Sequence, residues 1–145
     1  MANGDVTVQI IVNGTTSNGQ SVSFTGSKAL TSVVEAVSQV LAVRTAGADS
    51  VFKIGSASGA GQLTDPIKGL VIKNLDSTNF VTIGLIDTGA KAFYTKLNAG
   101  EMMFLSDNEI DANAAGGAFS AFTSLDEVTA QFNTAAGRIE ILALK

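Results

Sequence analysis

The sequence predicts an all-β chain folded as one antiparallel sandwich or barrel. Three observations lead there. Short apolar–polar alternating runs recur at a spacing of about 8–12 residues. Gly, Asn and Asp supply turn chemistry in the gaps between them. The length of 145 residues suits a single domain over 1–145.

The elements follow in order. Asp5–Val12 alternates, Asn13-Gly14 and Asn18-Gly19 punctuate, and Gln20–Thr25 alternates again. Asn-Gly provides the positive φ that hairpin turns need, so these runs read as an antiparallel pair. Ala29–Thr45 reads either way. Leu30, Val33, Val34, Val37, Val40 and Leu41 fall at helical spacing. Yet five Val sit in the segment, and β-branched residues lose χ1 freedom in a helix, which favours one long strand. Val51–Ile54 is a short strand. Gly55–Gln62 and Thr64-Asp-Pro66 form a loop. Gly69–Asn74, Phe80–Ile86, Ala92–Leu97 and Glu101–Leu105 then read as a four-strand meander. Its turns are Leu75–Asn79, Asp87–Ala90 and Asn98-Ala-Gly100. Asp107–Phe119 is an Ala/Gly/Asn-rich loop, and Glu127–Phe132 and Arg138–Leu144 are the closing strands.

Composition narrows function. The chain has no His, Cys or Trp, which removes the usual neutral-pH base, disulfides and thiolate zinc sites. Thirteen Asp and Glu against nine Lys and Arg give −4, the wrong sign for gripping nucleic acid. The longest stretch without a charge, Val6–Ser27, alternates rather than running apolar, so it is no membrane helix. Met1–Asp5 shows no basic region ahead of an apolar stretch, so no secretory signal is expected. Charged residues make up 15%, against roughly 25% in ordinary soluble domains. A chain this sparingly charged fits an assembly that hides surface against its neighbours.

Few constellations could carry chemistry. Asp107, Glu109, Asp111 and Asn113 recur at every second residue, as calcium-loop ligands do. The sixth and twelfth positions of such a loop, Gly and Glu in an EF-hand, are here Ala112 and Ala118. A solvated acidic loop is expected, with no metal and no cofactor. Gly55–Gly61 lacks the Gly-Lys-Ser/Thr and following helix of a phosphate cradle, so it reads as a surface loop. Asn13-Gly-Thr15 matches a glycosylation acceptor, but a hairpin turn explains it better. Serine nucleophiles have no His to activate them, so no catalytic residue is expected. Phe93-Tyr94 lies in a strand, which sends one ring to the core and the other outward. Ala118–Phe122 sets Phe119 and Phe122 among small residues, either as core or as an apolar patch for a partner subunit. Phe119 and Phe122, then Tyr94, are the candidate interface residues, since aromatic anchors dominate most interfaces.

Four segments carry a resemblance. Lys68–Asp76 with Thr78–Gly84, followed by Lys96-Leu-Asn-Ala-Gly-Glu101 and the closing Arg138–Leu144, resembles a pattern of small tailed-bacteriophage virion proteins. It spans roughly the C-terminal half, and its motifs specify turns. The resemblance implies a jelly-roll sandwich, no enzymatic activity and a place in the particle. The chain is too short for a major shell protein of the usual tailed-phage fold, and lacks that fold's long helix. The expectation is therefore a capsid decoration, or cement, protein on the virion's outer capsid surface. Its partner would be the major capsid protein, and it would act as a homo-oligomer, a trimer first. A tail, neck or fibre-base adaptor and a carbohydrate-binding adhesion module stay open as alternatives.

Overall fold

The computed structural model describes residues 4–55, 63–64, 67–87, 92–106 and 125–145. Among them every regular element is a strand, and the chain forms two compact units, residues 1–34 and 35–145.

The first unit is a hairpin of β1 (Gly4–Thr15) and β2 (Ser21–Val33), paired from Gly4↔Val33 to Thr15↔Ser21. Its turn is Thr16–Gln20. Gly19 adopts φ 84° and donates its N–H to the Thr16 carbonyl at 2.9 Å. Asn13-Gly14, expected as a turn, stays in the strand opposite Ser23 and Val22. Of the two Asn-Gly pairs, turning at the second lets β1 pair along its whole length.

The segment 29–45 is extended, so propensity outweighed the helical spacing. It is nevertheless two strands and not one. β2 ends at Val33, and β3 (Ala36–Val43) begins a separate sheet. The break follows Ser32, at φ 57°, whose N–H is held by the Asp5 carboxylate at 3.1 Å. In β3 the burial period is two, with Val37, Leu41 and Val43 inward and Val40 outward.

The second unit adds β4 (Asp49–Gly55), β5 (Leu63–Thr64), β6 (Gly69–Asn74), β7 (Val81–Asp87), β8 (Ala92–Leu97), β9 (Met102–Ser106), β10 (Leu125–Phe132) and β11 (Gly137–Leu144). Its sheets run β5-β4-β10-β7-β8 and β3-β11-β6-β9. Four antiparallel pairs nest inside one another: β3 with β11, β4 with β10, β6 with β9, and β7 with β8. A long hairpin of four strand pairs has been rolled up, which adds the β10–β7 and β11–β6 contacts. That is the jelly-roll order. The two-residue β5 extends one edge by a short parallel pairing to β4.

The meander expected over 69–105 is therefore corrected. Of its three consecutive pairings only β7–β8 exists, and the other two turns carry the chain from sheet to sheet. The core lies between the sheets. Phe52, Ile83, Leu85 and Phe132 from one sheet meet Leu70, Ile72, Ile139 and Ile141 from the other. Each such side chain contributes about 1.5–3 kcal/mol by leaving water. Phe132 ends β10 with its ring against Gly137, where an added Cβ would stand 2.5 Å from the ring. Between β3 and β4, Arg44 donates two bonds to the Asp49 carboxylate, at 3.0 and 2.8 Å.

Candidate interaction surface

Three groups of residues stand out on this frame. The first is a polar knot at one end of the sandwich. Asn74, fully buried at the end of β6, sits where the β6–β7 and β8–β9 turns meet. Its Nδ2 donates to the carbonyls of Asn79, Leu97 and Asn98 at 2.8, 3.1 and 3.1 Å. Its Oδ1 accepts the Asp76 N–H at 2.9 Å, and its own N–H reaches the Glu101 carbonyl. Asp76 in turn accepts the N–H groups of Asn79 and Thr78, at 2.6 and 2.8 Å. Those bonds hold its carboxyl below the ordinary carboxylate range. Glu101 accepts the side-chain and backbone N–H of Asn98, which lowers its pKa likewise. These residues, the ones that carry the phage-like pattern, bind backbone and one another. The knot specifies corners.

The second group is the outer face of the five-stranded sheet. Tyr94 stands there at 60% exposure, with its ring against Gly84. A Cβ on Gly84 would stand 2.8 Å from that ring and overlap Thr129 Oγ1. The expected division of the aromatic pair holds in direction only. Tyr94 faces outward, and Phe93, opposite the buried Leu85, points to the other side, but at the sheet edge it stays 41% exposed and is no part of the core. Beside Tyr94, Lys96 places its Nζ 4.8 Å above the Phe80 ring. Phe119 and Phe122 lie outside the described residues, as do Asp107, Glu109, Asp111 and Asn113 and the loop 56–62. Among the described residues no group of three or more acidic side chains is placed to hold a metal ion.

The third group went unread in the sequence. In the four-stranded sheet, directly opposed residues form two outward rows. Ser38, Leu142, Val71 and Phe104 make one row, and Val40, Glu140, Lys73 and Met102 the next. Leu142, Val71 and Phe104 are half-buried, while Val40 and Met102 are exposed at 56% and 63%. An antiparallel sandwich ordinarily alternates apolar inward and polar outward. Five of these eight outward residues are apolar, more than a solvated outer face ordinarily carries. The signal was present in the continuous apolar runs Leu70-Val-Ile72, Met102-Met-Phe-Leu105 and Ile141-Leu-Ala-Leu144. Such runs belong to strands covered on two sides, and alternation alone does not produce them.

The hairpin repeats the theme. Val6, Val8, Ile10 and Val12 share one face with Val22, Phe24 and Leu30, whereas from Thr7 to Thr15 the other face is Thr, Ser, Gln and Asn except for Ile11 and Ala29. Toward its base the apolar face is less exposed, with Leu30 buried and Val6 and Val8 half-buried. Ile10, Val12, Val22 and Phe24 are exposed.

Comparison of the chain with protein-family models, with curated proteins and with solved structures returns no match.

Proposed function

We propose that this chain is a structural protein of a bacteriophage particle, a capsid decoration protein that binds the outer shell and stabilises contacts between capsomers. The observation that carries the reading is the second apolar face of the four-stranded sheet. A jelly roll that ends in solvent has no use for Leu142, Val71 and Phe104 outside its core. One that lies flat against a neighbouring protein does. The Lys73–Glu140 row gives that face opposite charges side by side, which fixes orientation more than it adds affinity. The polar knot supports the same reading, because it commits the chain's most distinctive polar residues to structure.

The mechanism is linkage. A protein that binds the assembled shell and not its disrupted state raises the cost of disruption. The test uses Val40→Glu with Met102→Glu, two exposed positions at the ends of one row. The double variant should keep the wild-type melting temperature and lose co-sedimentation with particles stripped of this protein. Particles lacking the protein should break at lower temperature and at low salt. If bare particles withstand both as well as complete ones, the cement function is lost. A stoichiometry of a few copies per particle would move the protein to the tail.

A further inference from the structure

We propose that the outer half of the hairpin is an assembly device whose partner is two further copies of the chain, closed with it into a six-stranded antiparallel barrel. The inference rests on the hairpin and is independent of the shell contact.

Among the described residues no third strand pairs with β1 or β2, so the ribbon has two open edges and one uncovered apolar face. An isolated two-stranded hairpin is marginal in water, and long open edges invite pairing. The occupant follows from charge, area and symmetry. From Val6 to Ser27 the chain carries no charged residue, although its net charge is −4. Copies therefore meet here without repulsion, and a charged partner finds nothing to recognise.

A face-to-face dimer is too small. Six residues per strand at about 3.3 Å, on two strands about 4.8 Å apart, give roughly 200 Å² per face. Two faces then bury roughly 400 Å², against the 1,200–2,000 Å² or so of a stable interface, and four edges stay open. Cyclic closure leaves the face area per copy unchanged but pairs every open edge, which no face-to-face dimer does. With β1 of each copy beside β2 of the next, all neighbours are antiparallel, every edge is paired and every apolar face points inward.

The number of copies follows from what fills the interior. Opposed residues form three layers: Ile10 with Gly26, Val12 with Phe24, and Gly14 with Val22. Two layers contain a glycine, and the Phe24 ring lies over Gly26, 3.3 Å from where a Cβ would stand. Four copies would make eight strands, whose interior needs a side chain from every strand to fill it. Six strands at about 4.8 Å, tilted about 40°, enclose a diameter of roughly 12 Å, which three Phe24 rings and three Ile10 side chains occupy. Lys28, the one charged residue on this face, falls below these layers and marks where the closed section ends. The Ser, Thr, Gln and Asn face turns to water.

The experiment uses the full chain without any particle. Light scattering on the eluted peak should give three times the 14.8 kDa chain mass. Ile10→Asp with Phe24→Asp should give the single-chain mass with the sandwich's thermal transition unchanged. Should that variant misfold, Phe24→Thr, which keeps strand propensity, should shift the trimer's dissociation midpoint to at least tenfold higher concentration. The chain has no Cys, so a spin label on Asn18→Cys reads the hairpin tip alone. One short inter-tip distance supports closure. A single-chain mass at about 100 μM, a dimer, or a trimer that survives the double variant overturns the proposal. None of these outcomes bears on whether the sheet face binds a shell.

Discussion

Asn74 ties two turns of this fold together through one buried amide. Its amide satisfies carbonyls from two turns at once, in a position fully buried from solvent. Asn74→Ala leaves those carbonyls short of donors and should cost about 2–4 kcal/mol in urea unfolding. Asn74→Asp should cost at least as much, since it sets a carboxylate against three carbonyl oxygens. Gly137→Ala tests close packing instead. The new methyl meets the Phe132 ring at 2.5 Å, and the overpacking should lower stability by about 1–3 kcal/mol. The sequence marks Leu75–Asn79 and Asn98–Gly100 as turns because Asp, Asn and Gly have local reasons to be there. It does not show that one buried amide joins the two. That bond is set by a strand order which no local pattern encodes.

At the scale of elements, strands were legible and their partners were not. Alternation and turn residues place most strand segments within a few residues, and β-branched content resolves 29–45 as extended. The break at Val34-Glu35 depends on a single left-handed Ser32, for which the sequence carries no glycine signal. The apparent meander failed for a related reason. A turn of a given chemistry can return a strand to its neighbour or carry it across the core, and only long-range pairing decides which. The corners also titrate. Asp76 and Glu101 have pKa values lowered in the folded state by the N–H groups they accept. Groups of this kind contribute stability that is fully present above the unfolded pKa and lost as pH falls through the folded one. The urea midpoint should hold steady near neutrality and fall from about pH 5 downward. In Asp76→Asn, which keeps an acceptor but cannot ionise, that acid limb should be shallower. A variant limb as steep as wild type would place the acid sensitivity in other carboxylates.

Among the described residues, the strands of the sandwich pair with further strands while β1 and β2 pair only with each other, so stability is unevenly distributed. Amides of β6, β7, β10 and β11, inside the two sheets, should exchange slowest whatever the protein concentration. Amides of residues 10–15 and 21–26 should exchange quickly in dilute solution and become protected as concentration rises, because their protection comes from other copies. The driving force is apolar and uncharged, so added sodium chloride should leave the association almost unchanged where an ionic contact would weaken. Sulfate, which strengthens apolar burial, should tighten it. On the proposed shell-binding function, assembly would also set the strength of a weak sheet-face contact. A trimer carries three such faces in one particle-binding unit, and linked sites can exceed a single affinity by about 10²–10⁴ with no new contact. Ile10→Asp with Phe24→Asp should therefore weaken particle binding by at least a hundredfold although neither residue lies on the sheet face. Val40→Glu with Met102→Glu should abolish particle binding and leave the trimer intact. If the hairpin variant binds particles as tightly as wild type, the two surfaces act separately and avidity plays no part.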